Sequence, residues 1–286
     1  MEYRTRPLTP RLYLVATPIG SARDITLRTL DILSRIDVLV CEDTRTLRHL
    51  LNIHGIALKG RPLLTYHDHC GAKERQRVLS FLAAGKSVVY ASEAGSPLIA
   101  DPGFALVRDA VQAGYEVSTA PGPSAIIAAL TVSGLPTDAF FFGGFLPATA
   151  AARCKALEAL ASVAGTLVFC ESPKRVAAML RDAAQVLGPD RQAALCRELT
   201  KAYEQVLRDR LSALAERAAA QPLKGEIVVL IDRPSKNTCA DEDLESALRT
   251  ALVEMSLRDA AEVVAKSFGA PKQRVYKMAL RLYKNT

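Results

Sequence analysis

The sequence predicts an α/β fold, with two α/β domains followed by a small basic helical domain. Strand-like and helix-like runs alternate from Arg11 onward, and in the first half this order favours a mostly parallel sheet with helices on both faces. A chain of 286 residues also exceeds the usual single-domain size. Residues 249–286 hold eight basic and three acidic side chains, which separates this segment from the rest of the chain.

The first predicted domain covers residues 11–134. Its strands are short apolar runs, and its helices show apolar residues at helical spacing. Gly85 stops one helix, and Pro123 is expected at the first position of another. The predicted strands are 12–16, 37–41, 62–66, 87–91 and 116–119, and the predicted helices are 25–36, 44–52, 73–84, 104–113 and 123–133.

The second predicted domain covers residues 135–233, because the segment 134–138 breaks the alternation and a polar, proline-containing linker follows residue 231. It has the same α/β character. The predicted strands are 166–170, 192–196 and 226–231, and the predicted helices are 150–162, 173–187 and 210–220.

The third predicted domain, 241–286, contains three helices. Gly269 ends the second of them and Pro271 starts the last, which is the spacing of a helix-turn-helix unit. The last helix is expected to bury Val275, Ala279, Leu280 and Tyr283 and to present Lys272, Arg274, Lys277, Arg281 and Lys284. This basic surface favours contact with nucleic acid. A packing or dimerisation domain is the alternative.

Composition places the chain among globular cytoplasmic proteins. Apolar residues make up 49% and charged residues 23%, and no run approaches the roughly 18 apolar residues that span a bilayer. The first ten residues do not form a signal peptide. The six cysteines include no C-x-x-C pair, which favours buried reduced thiols.

Five polar or small-residue loops follow predicted strands, where open α/β sheets bind ligands. The most informative is 92–103, with two prolines and two glycines over twelve residues. The expected dinucleotide-binding G-x-G-x-x-G and the P-loop are both missing from the sequence, which disfavours a dehydrogenase or a nucleoside triphosphatase. We expect 92–103 to meet the other loops, 17–21, 42–45, 67–69 and 121–124, at one edge of the sheet.

Two of these loops carry titratable side chains. In His67-Asp68-His69 the two imidazoles would share one side of an extended backbone, so a metal pair is conceivable. A third His or Cys ligand with clear spacing is missing, so substrate contact or acid–base work is favoured over metal. Glu42, Asp43 and Arg45 are suited either to cap the next helix or to bind a ligand.

Taken in order, these segments resemble one family, the ribosomal RNA small subunit methyltransferases I, within the tetrapyrrole-methylase-like superfamily of S-adenosylmethionine-dependent enzymes. The resemblance covers about residues 11–286. It implies methyl transfer to the ribose 2′-oxygen of a cytidine in 16S rRNA, near the decoding centre of the small ribosomal subunit, and a homodimer. The matching segments are Thr17-Pro18-Ile19-Gly20, Glu42-Asp43-Thr44-Arg45, His67-Asp68-His69, the 92–99 loop, Pro121-Gly122-Pro123, Gly144-Phe145-Leu146-Pro147, Glu171-Ser172 and 197–201.

The resemblance also implies which residues form the site, with the methyl donor in a cleft between the two α/β halves. Glu42, Asp43 and His67 are the first candidates for catalysis, followed by Asp68, Glu93 and Asp101. Arg45, Arg175, Arg197 and Lys201 are the candidates for binding phosphate or steadying charge, with Arg45 and Arg175 assigned to RNA; no metal is expected. The expected donor contacts are Ile19, Ala94, Gly95, Ser96, Ile99, Ser124, Ala125, Glu171, Leu199 and Glu226.

The chain departs from the family pattern at four positions. Glu93 and Ser96 stand where Asp and Thr are usual, and Ser21 and Cys70 stand where Asn is common. These changes bear on the fine geometry of the site. Two alternative functions stay open: a tetrapyrrole (precorrin-type) methylase acting on a small acidic macrocycle, and a non-catalytic RNA-binding factor in ribosome assembly.

Overall fold

The computed structural model describes residues 8–67, 71–234, 241–268, 270 and 272–284. The first part of the chain forms five strands and five helices in alternation, with a one-turn 3-10 helix at Ala22–Asp24. Their bounds are β1 Leu12–Val15, α1 Leu27–Arg35, β2 Val38–Cys41, α2 Thr44–Ile53, β3 Leu63–Thr65, α3 Ala72–Ala83, β4 Val88–Ala91, α4 Phe104–Gln112, β5 Val117–Ala120 and α5 Ala125–Ser133.

The first sheet has the order β3-β2-β4-β1-β5, and all of its strands are parallel. β2 and β4 are buried along their whole length, as expected for strands covered on both faces. One apolar cluster centred on Leu33, Leu39 and Val89 lies on one face, and another centred on Tyr90 and Leu106 lies on the other. The predicted parallel α/β architecture is confirmed for this half.

The second half forms a mixed sheet with the order β6-β7-β10-β8-β9. Only β6 and β7 pair in parallel, and the other neighbours are antiparallel. The sequence does not predict two of its strands, the edge strands β6 and β9, because two glycines interrupt the apolar run of β6 and polar residues dominate β9. The bounds are β6 Phe140–Phe145, α6 Ala150–Leu160, β7 Thr166–Glu171, α7 Val176–Leu187, β8 Gln192–Arg197, β9 Gln205–Arg210, α8 Leu211–Ala220 and β10 Ile227–Ile231.

Helix α5 joins the two halves. It starts two residues later than predicted, because Ser124 is its N-cap and accepts a hydrogen bond from the Ile127 N–H at 3.5 Å. Although α5 follows the last strand of the first sheet, its buried residues Ile126, Ala129 and Leu130 pack against the second sheet. Helices α6, α7 and α8 contribute to the core on the other face of that sheet.

The last three helices are α9 Asp241–Leu252, α10 Leu257–Ser267 and α11 Lys272–Lys284. They share a separate core that includes Leu244, Leu248, Val264 and Val275. The predicted inner stripe of α11 is wrong in two positions: Leu280 and Tyr283 are 36% and 68% exposed. The buried face of α11 contains Val275, Ala279 and Leu282 instead. Leu282 thus takes the place that the sequence pattern assigned to Tyr283. Gly269 and Pro271, the predicted breakers, lie outside the described residues.

The thiols described are free, and the two buried ones are poor nucleophiles. Cys41 and Cys196 are buried, and burial raises the pKa of Cys41 to about 12 and that of Cys196 to about 11. Cys70 and Cys239 lie outside the described residues. Within the ranges that the structure describes, no helix is long and apolar enough to cross a membrane.

A buried ion pair fixes α6 on α7. The Arg153 side chain is 5% exposed and that of Asp182 is 15% exposed, and Arg153 Nε donates to Asp182 Oδ2 at 2.6 Å. The same guanidinium donates to the carbonyl oxygens of Pro147 and Ala148. Arg153 therefore holds the segment that enters α6 as well as the neighbouring helix.

We expect Arg153→Met to lower the free energy of unfolding by about 3–5 kcal/mol, because it leaves the Asp182 carboxylate buried without its cation. Urea unfolding followed by circular dichroism measures this change. The matched control is Arg249→Met, whose ion pair with Glu245 is exposed and should be worth less than about 1 kcal/mol. Equal destabilisation by the two substitutions would contradict the role given to Arg153.

Candidate active site

The predicted loops meet at one edge of the first sheet because all five strands point the same way. Across the sheet, from β3 to β5, this edge carries His67, Glu42, the start of the 92–103 loop, Thr17 and Pro121. The convergence inferred from the sequence is therefore present in the fold. The order also separates the loops: those after β4, β1 and β5 are neighbours, and those after β3 and β2 lie to one side.

Loop 92–103 is held by hydrogen bonds to the loops after β1 and β5. Thr17 and Gly95 exchange two backbone hydrogen bonds, of 3.0 and 2.9 Å. The Thr17 hydroxyl donates to the Ser92 carbonyl at 3.1 Å, and the Ser96 hydroxyl donates to the Pro123 carbonyl at 3.1 Å. These hydrogen bonds make the loop a fixed wall of the site.

The backbone of this loop adopts unusual conformations. Gly95 has a φ of +79°, and the non-glycine residues Leu98 and Ala100 have φ values of +69° and +60°. Left-handed conformations at non-glycine residues cost of the order of 1–3 kcal/mol each and cluster at ligand sites. A side chain at Gly95 would also come within 3.4 Å of Ile19 Cγ2. The conformation and the close approach both explain the glycine.

A cavity of about 410 Å³ lies between this edge and the second sheet. All of the predicted donor contacts line it except Leu199, which is buried in the apolar cluster that also contains Ile19. Sequence reasoning missed several wall residues because they carry no distinctive chemistry. The residues lining the cavity are Ile19, Ala94, Gly95, Ser96, Ile99, Ala100, Asp101, Ser124, Ala125, Ile126, Phe145, Cys170, Glu171, Ser172, Pro173, Gly225, Glu226, Ile227 and Val228.

An ionic cluster within the second half lies beside the cavity. Lys201 Nζ lies 3.0 Å from Glu198 Oε1 and 3.1 Å from Glu226 Oε2. Glu198 Oε1 also accepts from the Glu226 N–H at 2.9 Å, and this hydrogen bond, followed by that from Lys201, lowers the pKa of Glu198. The Ser21 N–H donates to the Thr200 hydroxyl at 3.2 Å. The loop after β8 therefore positions Glu226 against the first half.

Gly20 marks the closest approach of the two halves in this cluster. A Cβ atom there would lie 2.5 Å from Lys201 Cγ and 2.6 Å from Thr200 Oγ1. Gly20 is the last residue of the first quoted motif, and the clash supplies a physical reason for a glycine.

The predicted catalytic residues do not line the cavity. Glu42 and His67 are half-buried and follow the neighbouring strands β2 and β3. Asp43 is the N-cap of α2: its Oδ1 accepts from the Arg45 N–H at 2.7 Å. Hydrogen bonds from Arg45, first from its guanidinium, lower the pKa of Asp43 to about 2. Asp68 and His69 lie outside the described residues.

Two further sequence candidates take different positions. Glu93 is exposed, and its charge acts on Cys41 and Arg45, so it faces the 42–45 loop. Asp101 lines the cavity directly. Among the described residues, no group of three His, Cys, Asp or Glu side chains could hold a metal ion.

The predicted RNA contacts Arg45 and Arg175 differ in what else they do. The Arg45 side chain is 90% exposed although it pairs with Asp43. The Arg175 side chain is 33% exposed and lies 3.2 Å from buried Glu171 Oε2, and it donates to the carbonyl oxygens of Leu146 and Pro147. Those contacts already explain an arginine at 175, and its RNA role stays a prediction.

Comparison with known proteins gives a consistent result for the whole chain. A family model described as Tetrapyrrole (Corrin/Porphyrin) Methylases matches residues 11–215, and one described as the RsmI C-terminal HTH domain matches residues 239–282. A curated relative from Mesorhizobium japonicum, named ribosomal RNA small subunit methyltransferase I, is 45% identical over 98% of this chain and 95% of its own length. A relative of the same name from Escherichia coli O157:H7 is 39% identical over 94% of each chain.

Solved structures share the fold at low identity. A cobalt precorrin-4 methyltransferase has a TM-score of 0.60 at 16% identity, covering 78% of this chain and 95% of its own. A uroporphyrin-III C-methyltransferase from Thermus thermophilus, complexed with S-adenyl homocysteine, has a TM-score of 0.54 at 20% identity, covering 77% and 96%. With the fold shared with these structures and the near full-length identity to curated relatives, the chain belongs to the ribosomal RNA small subunit methyltransferase I family of tetrapyrrole-methylase-type enzymes.

Proposed function

We propose that this protein transfers the methyl group of S-adenosylmethionine to the ribose 2′-oxygen of a cytidine in 16S rRNA, within the small ribosomal subunit. The observation that carries the proposal is the cavity between the two halves. The loops 17–21, 92–103 and 121–124 of the first half line it together with Glu171 and Glu226 of the second half. The names of the relatives indicate ribosomal RNA of the small subunit as the substrate. A basic C-terminal helix is suited to bind RNA. The same reading implies a cytoplasmic protein, and family resemblance suggests a homodimer.

The residues of the cavity fit the methyl donor. Its volume lies within the roughly 300–1,000 Å³ typical of ligand pockets, at about 410 Å³. Ile19, Ile99 and Ile126 supply apolar surface for a purine ring, while the carboxylates of Asp101 and Glu226 suit the hydroxyl and ammonium groups of the ligand. A related structure, that of the T. thermophilus enzyme, holds S-adenyl homocysteine.

The donor, when bound, supplies a methyl group already activated on a sulfonium. The protein's own residues must then align the acceptor, exclude water and take the proton of a weakly acidic hydroxyl. The carboxyl end of β2 stands next to the cavity wall made by the loop after β4, and that of β3 lies one strand further out. Glu42 and His67 on those ends are placed to meet an acceptor that enters from that side.

Asp43 is the weakest of the three candidate bases. With a pKa held at about 2 by Arg45, its carboxylate has little affinity for a proton near neutral pH. Its contacts assign it to capping α2 and orienting Arg45. We therefore rank Glu42 and His67 above Asp43.

The last helix offers a surface suited to RNA. Lys277 and Arg281 are exposed one turn apart on α11, and Tyr276 and Tyr283 are exposed on an adjacent stripe at 39% and 68%. Cations bind phosphate and tyrosine rings stack on unpaired bases. Lys272 also pairs with Glu262 on α10, so its charge is partly used within the domain.

Transfer of label from a tritiated methyl donor tests the proposal. Small ribosomal subunits, naked 16S rRNA and a porphyrinoid are offered in parallel. Label in the RNA ribose is the expected result. Label only in the porphyrinoid would support the tetrapyrrole methylase instead, and donor binding without any label would support an assembly factor.

We expect Glu42→Gln to lower the rate of methyl transfer by roughly 10²-fold or more if Glu42 accepts the proton. Binding of S-adenosylhomocysteine, measured by calorimetry, should not change, because Glu42 lies outside the donor cavity. Glu158→Gln, at an exposed position of α6, is the matched control. Unchanged turnover of Glu42→Gln would remove Glu42 as the base.

We expect Lys277→Gln with Arg281→Gln to weaken RNA binding and to reduce the slope of log affinity against log salt concentration by about 1.4, since each lost phosphate contact on a single strand accounts for about 0.7. Fluorescence anisotropy with a labelled RNA measures both. The control pair, Arg258→Gln with Lys266→Gln, removes the same charges from exposed positions of α10. If both pairs change the slope equally, net charge and not the α11 surface explains binding.

A further inference from the structure

A second cavity, of about 450 Å³, lies on the other face of the second sheet, between strands β8 and β9 and helix α8. Half-buried Leu207 and Leu223 form its apolar floor, over the buried side chains of Leu195, which pairs with Leu207 across the strands, and of Leu214 from α8. The proposed methyl transfer does not use it. The residues lining it are Leu195, Arg197, Gln205, Leu207, Leu214, Arg217, Ala218, Ala220, Gln221, Pro222, Leu223 and Lys224.

The rim of this cavity is cationic. Arg197, Arg217 and Lys224 line it, and none of its lining residues is acidic. Arg217 has a structural explanation, because it pairs with Asp209 at 2.9 Å and lies in the last turn of α8, where a cation offsets the helix dipole. Arg197 and Lys224 form no ion pair with a carboxylate in the described ranges.

Arg197 is held in place without being neutralised. Its Nε donates to Gln205 Oε1 at 3.3 Å, and its Nη1 donates to the Lys224 carbonyl at 3.3 Å. These neutral acceptors orient the guanidinium across the mouth of the cavity towards the segment that carries Lys224. An oriented guanidinium beside a lysine is the arrangement that binds phosphate.

This second cavity lies close to the first cavity, in which we propose that the methyl donor binds. Lys224 lines this cavity, whereas Gly225 and Glu226, which follow it directly, line the cleft. Arg197 likewise precedes Glu198, whose carboxylate accepts the Glu226 N–H. The two cavities therefore lie on opposite faces of the same end of the sheet, separated by the segment 224–226.

We propose that this second cavity binds a nucleotide of the RNA substrate other than the methylated one, with its base on the leucine floor and its phosphate between Arg197 and Lys224. The apolar floor suits a base, Gln205 and Gln221 offer hydrogen bonds to base edges, and the unpaired cations suit a phosphate. This inference rests on the proposed function, because it takes the bound strand to be the substrate.

The test compares Arg197→Gln/Lys224→Gln with Arg77→Gln/Lys86→Gln, a pair of the same residue types at exposed positions of the first half. Full-length protein saturated with S-adenosylhomocysteine is titrated with labelled single-stranded RNA, cytidine 5′-monophosphate and inorganic phosphate. We expect Arg197→Gln/Lys224→Gln to weaken RNA binding by roughly tenfold or more and to abolish binding of the monophosphate, while the control pair leaves both near the wild-type values.

Each other outcome has a defined meaning. Equal affinities for RNA and the monophosphate in the two double variants overturn the inference, and so does phosphate binding as tight as that of the monophosphate. Unchanged affinity for S-adenosylhomocysteine shows that Arg197→Gln has not disturbed Glu198 and the cleft. If wild-type protein binds the monophosphate through Arg197 and Lys224 but methylates no RNA, the proposed function fails and the nucleotide cavity stands.

Discussion

The packing of α5 on the second sheet is the interaction on which the rest of the site depends. Ser124, Ala125 and Ile126 at its start line the donor cavity, and Ile126, Ala129 and Leu130 along its length are buried against the second sheet. Full burial of an Ile or Leu side chain contributes roughly 1.5–3 kcal/mol. One apolar helix therefore fixes the distance between two walls that come from different sheets.

The ionic cluster on the far side of the cavity complements this apolar contact. Glu198, Lys201 and Glu226 are joined through side chains and backbone, and Gly20 allows the first half to approach them closely. An apolar contact on one side and a polar one on the other leave the cleft open between them. This arrangement lets the protein enclose a ligand that is partly aromatic and partly charged.

The predictable part of the structure followed from strand direction. Five loops that follow parallel strands must share one edge of the sheet. The convergence of 17–21, 92–103 and 121–124 could therefore be inferred from the sequence. The direction of the Glu93 side chain could not be inferred, because the loop residue after a strand does not follow the alternation of side chains along the strand. Glu93 is exposed and its charge acts on Arg45, and it does not line the donor cavity.

The sequence predicts less well where tertiary contacts outweigh local pattern. Leu199 follows β8, and its side chain is buried in the apolar cluster that contains Ile19, so its contact with the donor stays a prediction. In α11 the apolar residues Leu280 and Tyr283 resemble a buried stripe, but the three-helix core selects Leu282. Strand β9 reads Gln-Val-Leu-Arg-Asp-Arg, and only its pairing with β8 at the sheet edge makes it a strand. Sequence periodicity records which residues are apolar, while the neighbouring element decides which of them are covered.

The separation of the donor cavity from the candidate bases constrains the chemistry. In the first half the cavity walls come from loops after β4, β1 and β5, whereas the favoured bases Glu42 and His67 come from the ends of β2 and β3. On the proposed function, the acceptor ribose lies over β2 and β4 with its hydroxyl towards the cavity, and its proton goes to Glu42 or His67. Asp43 stands on that route but is committed to Arg45, because an ionised Asp43 is what holds the fork of that guanidinium. Its lowered pKa, about 2 against an ordinary 3.8, means that this capping contribution is complete above about pH 4 and is lost only as the pH falls towards 2. At neutral pH the Asp43 carboxylate is therefore committed to capping α2 and orienting Arg45, and Glu42 beside it stays the proposed base.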